Sequence, residues 1–186
     1  KHSIKLTFGK ELAETNCLKG PSKDFFVGSG IDIHQFEENK PMVLGGVAIE
    51  SDVGFKAHSD GDVVIHSIID ALLGAIGAGD IGELFPDNDP QYKGIDSKEL
   101  LQKVVGFVYN VGYEIVNIDL TILAEKPKIT PYKDLIQTQL SDIIGILKQR
   151  VNIKATRGEK MGFIGRAEGV AVLSSVNVKF YDWKKI

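Results

Sequence analysis

Cysteine is nearly absent from this chain of 186 residues: Cys17 stands alone. An intrachain disulfide is therefore excluded, the fold must be held by its core, and a reducing compartment is the natural setting. Long apolar runs are missing too. The most apolar stretch, residues 63–78, contains His66 and Asp70 and falls short of the ~20 apolar residues that a membrane-spanning helix needs. Neither sign of charge dominates: 22 Lys and Arg face 25 Asp and Glu, a net charge of −3. With no basic stripe carrying interleaved aromatics, nucleic acid is not expected as a partner, and neither is a membrane. There is no internal repeat and no low-complexity tract.

What is present is a 43% hydrophobic composition, enough for one well-buried domain and too little for two. Residues 1–24 are polar and aperiodic and lack the apolar centre of a signal peptide. They are expected to be an N-terminal extension, either a remnant of processing or a residual targeting segment. The domain is expected over residues 25–186.

Residues 25–36 read as a strand and 41–49 as its partner. Ser59 is the expected N-cap of a helix, with Asp62 three residues on, and the helix ends in Gly77 and Gly79. Residues 80–94 read as a loop. A second helix follows, with Asp96 as N-cap, Glu99 in its first turn and Gly112 past its end. Alternation predicts a strand over 113–123, and Thr130-Pro131 opens a third helix. Strands over 151–156 and 169–180 complete an α/β (α+β) single domain: one mixed β-sheet covered by about three helices.

Asp32 and His34, two apart on a strand, leave the same face and form half a site for a metal such as zinc. Such a pair is also common on solvated strand faces. In the apolar helix, Asp62, His66 and Asp70 fall on one i, i+4 row. Burying three ionisable groups is costly unless they are paired or bound. The row fits a core histidine satisfied by aspartate, a solvated stripe, or the ligand and outer partners of a metal site. With no fourth ligand in view, Asp32, His34 and His66 match the open pattern of a catalytic metal.

Several motifs in order carry a more specific message. They are Gly30-Ile31-Asp32-Ile33-His34, Ala57-His58-Ser59-Asp60-Gly61-Asp62 with His66, Asp70-Ala71-Leu72-Leu73-Gly74, and Gly79-Asp80-Ile81-Gly82. Leu84-Phe85-Pro86-Asp87, Pro127-Lys128, Lys154-Ala155-Thr156, Glu159-Lys160-Met161-Gly162-Phe163, and Gly165-Arg166 followed by Glu168-Gly169 continue the series. Together they resemble the 2-C-methyl-D-erythritol 2,4-cyclodiphosphate synthase family of the non-mevalonate isoprenoid pathway, from about Phe26 to the C-terminus.

The resemblance implies a homotrimer with active sites between subunits. The substrate would be 4-diphosphocytidyl-2-C-methyl-D-erythritol 2-phosphate, whose 2-phosphate attacks the β-phosphorus and expels CMP. Zinc would be held by Asp32, His34 and His66, and a second divalent ion (magnesium or manganese) by Glu159. His58 and Ser59 would contact phosphate, Asp80, Ile81 and Gly82 the sugar alcohol, and Phe85, Pro86, Asp87, Asn88 and Asp89 the rest of the substrate loop. The cytidine pocket would be Ala124, Glu125, Lys126, Pro127, Lys128, Ile129 and Thr130. Thr156, Arg157, Gly158, Glu159 and Phe163 would lie near the phosphates. Arg166 and Glu168 would sit near the trimer axis, where an isoprenoid diphosphate could bind.

Some of these positions also have ordinary readings. Ser59 caps a helix, Gly-Asp-x-Gly is a turn, and Arg166 with Glu168 forms a surface ion pair of little energetic weight. One position departs from the family: Arg157 stands where it usually carries threonine, and its guanidinium either meets the diphosphate or points to solvent. A zinc phosphohydrolase and a non-catalytic binding module are the alternative classes, separated by product analysis and by a closed four-ligand zinc. The pathway occurs in bacteria and plastids. The Lys- and Asn-containing leader favours a plastid-type organelle (apicoplast or chloroplast), with a bacterial cytoplasm as the alternative.

Overall fold

The Val, Ile and Leu residues clustered near position 70 form helix α1 (Val63–Ala75), which is buried on almost every side. Its packing organises the domain. The computed structural model describes residues 20–57, 59–86, 89–92 and 94–185.

The strands are β1 (Phe25–Glu38), β2 (Met42–Leu44), β3 (Val47–Ile49), β4 (Val53–Phe55), β5 (Tyr113–Leu123), β6 (Val151–Thr156) and β7 (Gly169–Phe180). Five of them make one sheet in the order β4-β1-β7-β5-β6. β7 is antiparallel to both β1 and β5, β4 is antiparallel to β1, and β6 alone runs parallel to its neighbour β5. The mixed sheet and single α/β domain match the sequence expectation. Alternation along β1 sends residues 26, 28, 30, 32, 34 and 36 toward the helices and leaves Phe25, Val27, Ile31 and Ile33 exposed on the other face.

Helix α1 lies on β1 and β7, with α3 (Ser97–Asn110) beside it and α4 (Lys133–Ile144) beyond, against β6. Two single turns, α2 (Ile81–Leu84) and α5 (Gly162–Gly165), carry loops between these elements. The α1–β1 approach is backbone to backbone. A Cβ at Gly28 would lie 1.9 Å from the Ala71 carbonyl oxygen, so only glycine permits this contact.

Three local expectations are corrected. Residues 41–49 do not pair with β1; they fold into the separate hairpin β2–β3. Gly45 and Gly46 turn it at φ +60° and +76°, the two-residue turn that favours glycine. Ser59 is not the cap of α1. Asp62 is, and it accepts from the N–H groups of Val64 and Ile65. Thr130-Pro131 opens a single 3-10 turn, with α4 starting at Lys133 and no side-chain cap.

Candidate metal centre and adjoining cavity

Strand β1 presents Asp32 and His34 on its helix-facing side, and the second turn of α1 brings His66 to them. One ligand atom from each of the three lies within 4.8 Å of the other two. Asp32 Oδ2 is 3.3 Å from His34 Nε2 and 3.2 Å from His66 Nδ1. It is nevertheless buried without an aligned hydrogen bond, while Oδ1 accepts from the Ile33 N–H. His34 Nδ1 donates to the Gly61 carbonyl at 2.9 Å, which leaves its Nε2 lone pair facing Asp32. An orphaned carboxylate oxygen between two imidazoles is the donor set of a divalent cation such as zinc, with room for further ligands. The residues present fit a metal.

The electrostatics agree. Burial is the largest influence on Asp32 and opposes its charge, but the contact with His66 and the charges of His34 and His66 outweigh it and lower the pKa. For His66 burial again acts first, downward, and Asp32 overrides it, so the pKa rises. The other two members of the acidic row have separate work. Asp62 is fully buried; its Oδ1 accepts from Gly45, Val64 and Ile65, and its Oδ2 from Gly46. Asp70 accepts from the Ile81 N–H at 2.8 Å, and burial, followed by the charges of Asp80 and Asp32, raises its pKa.

At the far edge of the sheet, an open cavity of 460 Å³ is lined by Ala124, Pro127, Lys128, Ile129, Thr130, Ala155, Thr156, Arg157 and Glu159. Most of the residues expected for the cytidine and phosphate subsites therefore surround one space. Glu125 instead turns to accept from the Gly158 N–H at 3.2 Å, and Lys126 borders a neighbouring 640 Å³ cavity with Gln35, Glu38 and Glu168. Glu159 and Lys160 sit at φ +48° and +64°, a left-handed conformation costing about 1–2 kcal/mol for a non-glycine residue. Strain of this kind gathers at functional sites. Gly158 packs against α5, where an added Cβ would lie 2.4 Å from the Gly165 nitrogen.

The remaining expected residues are more scattered. Ser59 Oγ accepts from the Gly61 N–H and stands 3.5 Å from His66 Nε2. Asp80 caps α2 by accepting from Glu83 N–H, with Gly82 exposed beside it. Phe85 faces the core against Tyr92, leaving only its backbone for a ligand, while Pro86 is exposed and Asp89 accepts from Gln91. Phe163 is partly exposed on α5, and Arg166 forms a bidentate, solvent-exposed pair with Glu168. His58, Asp87, Asn88, Cys17 and most of the N-terminal extension lie outside the described residues. Asp60, Gly61 and Ser97, which hold the histidines, carry no metal-site signature in the sequence: Asp96-Ser97 reads only as a helix start.

Fold and site together define a mixed α/β domain built around an open three-donor metal centre. A model of the YgbB family matches residues 25–179, and the chain belongs to the YgbB family. The bifunctional enzyme IspD/IspF of Aliarcobacter butzleri is 65% identical over 183 residues, 98% of this chain and 49% of that protein. The structure of the bifunctional IspDF from Campylobacter jejuni superposes with a TM-score of 0.92 at 48% identity, covering 97% of this chain and 48% of that one. A 2C-methyl-D-erythritol-2,4-cyclodiphosphate synthase in a CDP-bound form gives a TM-score of 0.77 at 33% identity, covering 82% of this chain and 99% of that one. The family resemblance read from the motifs is thus confirmed. The chain spans about half the length of the curated relatives it matches. Those relatives are bacterial, in line with the bacterial alternative, and the plastid expectation finds no support in them. Among the described residues, no helix is long and apolar enough to cross a membrane.

Proposed function

We propose that this chain converts 4-diphosphocytidyl-2-C-methyl-D-erythritol 2-phosphate to 2-C-methyl-D-erythritol 2,4-cyclodiphosphate with release of CMP, a step of isoprenoid precursor synthesis. The observation that carries this reading is the convergence of Asp32, His34 and His66 on the unsatisfied Asp32 Oδ2. Asp32, His34 and His66 would hold zinc, and Glu159 a magnesium or manganese ion. When bound, such ions supply positive charge to the diphosphate oxygens.

The rest falls to the chain. The attacking phosphate and the leaving CMP belong to one molecule, so no protein nucleophile is needed and catalysis is positioning plus charge neutralisation. Ala124 and Pro127 to Thr130 line the cavity that would take the cytidine. Lys128 and Arg157 add positive charge to its wall, where the diphosphate would be drawn. Asp80, at the exposed N-cap of α2, would accept from the erythritol hydroxyls. Ser59 and His58 would close over the phosphates.

The active site is proposed to form between subunits of a homotrimer. Asp32, Val172, Ile122 and Ala155 lie in register across four adjacent strands. The metal centre and the cavity wall are therefore about 14 Å apart in one chain, three strand spacings of ~4.8 Å. The open face of the sheet exposes Phe25, Val27, Ile31, Ile33 and Leu173, an apolar surface suited to a second copy. Arg166, exposed beyond Glu168, would meet an isoprenoid diphosphate on the trimer axis. A bacterial cytoplasm is the proposed setting.

Phosphorus NMR with nucleotide chromatography tests the reaction. A cyclic diphosphate appearing in step with CMP supports it; linear hydrolysis products would replace it with a phosphohydrolase.

A further inference from the structure

We propose that Asp60 and Ser97 are positioning residues that fix the tautomer and ring orientation of His66. The proposal rests on the reading of Asp32, His34 and His66 as a metal site and adds what prepares that site.

Ser97 is fully buried at the first turn of α3. Its Oγ lies 2.9 Å from His66 Nε2 and is hydrogen-bonded to Asp60 Oδ1. Its backbone N–H donates to Asp60 Oδ2 at 3.0 Å. The direction of each bond follows from valence. An ionised carboxylate can only accept, so the single hydroxyl proton of Ser97 goes to Asp60. Ser97 Oγ then has only lone pairs to offer His66, and Nε2 must be the donor. The imidazole proton is held at Nε2, and the Nδ1 lone pair faces Asp32 Oδ2 at 3.2 Å.

The same short segment orients the second histidine. The Gly61 carbonyl takes the proton of His34 Nδ1, so residues 60 and 61 together free one ligand nitrogen on each ring. Asp60 further accepts from the Asp62 N–H at 3.2 Å, which ties this segment to the cap of α1. Outer partners of this kind set ligand geometry before a metal arrives. Without Asp60, the Ser97 hydroxyl is free to turn and donate to Nε2, which would move the ring proton to Nδ1 and block the ligand position.

Long-range proton–nitrogen NMR spectra of metal-free protein, taken well above the ordinary imidazole pKa of ~6.5, read the tautomer directly. Wild-type His66 is expected as the Nε2–H form and Asp60→Ala as a mixture containing Nδ1–H. Chelator competition should show that Ser97→Ala, which changes no charge, binds zinc about 10–100-fold more weakly than wild type. An Nδ1–H His66 in the wild-type protein would overturn the proposal even where a variant failed to fold. So would a folded Ser97→Ala protein with wild-type zinc affinity. A wild-type chain that takes up no zinc would contradict the metal reading itself, while the tautomer would still test the roles of Asp60 and Ser97.

Discussion

A Cβ placed on Gly30 would lie 2.1 Å from the carbonyl oxygen of Ser67. Strand β1 and helix α1 therefore touch backbone to backbone one residue after His66 and two before Asp32. This closeness lets an aspartate on a strand share a cation with a histidine on a helix. Gly30→Ala must push the helix off the strand. Its expected cost is at least about 3 kcal/mol, the upper end for overpacked cores. Urea unfolding measures it, and zinc affinity should fall with it.

Asp62 is the second structural hinge of the site. Four backbone N–H groups, from Gly45, Gly46, Val64 and Ile65, end on its carboxylate. Burial pushes its pKa up, and the N–H donors of Gly46, Gly45 and Ile65 oppose that shift. Asp62→Ala strips the cap from α1 and leaves the β2–β3 turn unsatisfied. The expected loss is about 2–4 kcal/mol by the usual cost of a cap plus buried unpaired donors, read from the denaturation midpoint.

The Asp32–His66 pair gives the metal-free protein a distinct pH dependence. His66 has a raised pKa in the folded chain, so its stabilising contribution is complete below the unfolded value of ~6.5 and fades as pH rises through the folded value. Asp32 has a lowered pKa, so its contribution is present above the unfolded carboxylate value and fades as pH falls through the folded one. These are two views of one interaction, strongest between the two titrations. Thermal melts of metal-free protein should decline on the alkaline side. The stabilisation gained by adding zinc should grow there, because protons no longer compete for His66.

The open sheet face makes a prediction about assembly. Ile31 pairs with Leu173 across β1 and β7, and both are exposed. Ile31→Lys would place a charge in the centre of the proposed trimer contact without touching the core. Sedimentation should show monomers in place of trimers, and CMP release should fall with them.

Much of this was legible in the sequence because it is local. Alternation marked β5, the Asp96 cap marked α3, and the buried helix betrayed itself by Val, Ile and Leu on nearly every side. The two-residue Asp32–His34 spacing gave half the metal centre. The misplacements share a cause. Gly45-Gly46 is a hairpin signal inside an apolar run that reads equally as one strand, and Asp62 was chosen over Ser59 as cap because its second oxygen also satisfies Gly46. Neither preference is visible without the tertiary contact. The Asp60–Ser97–His66 chain joins residues 37 and 31 positions apart, and no local pattern announces it.

His66 is the helix-borne member of the metal centre, joined to Asp32 and His34 on the strand. Zinc content measured together with CMP release, for wild-type and His66→Ala protein, tests its role most directly. The expected result is one zinc per wild-type chain, and in His66→Ala an intact trimer without zinc whose CMP release is lower by roughly a thousandfold, the loss of several kcal/mol of charge stabilisation. A zinc-free His66→Ala protein that releases CMP at the wild-type rate would contradict it.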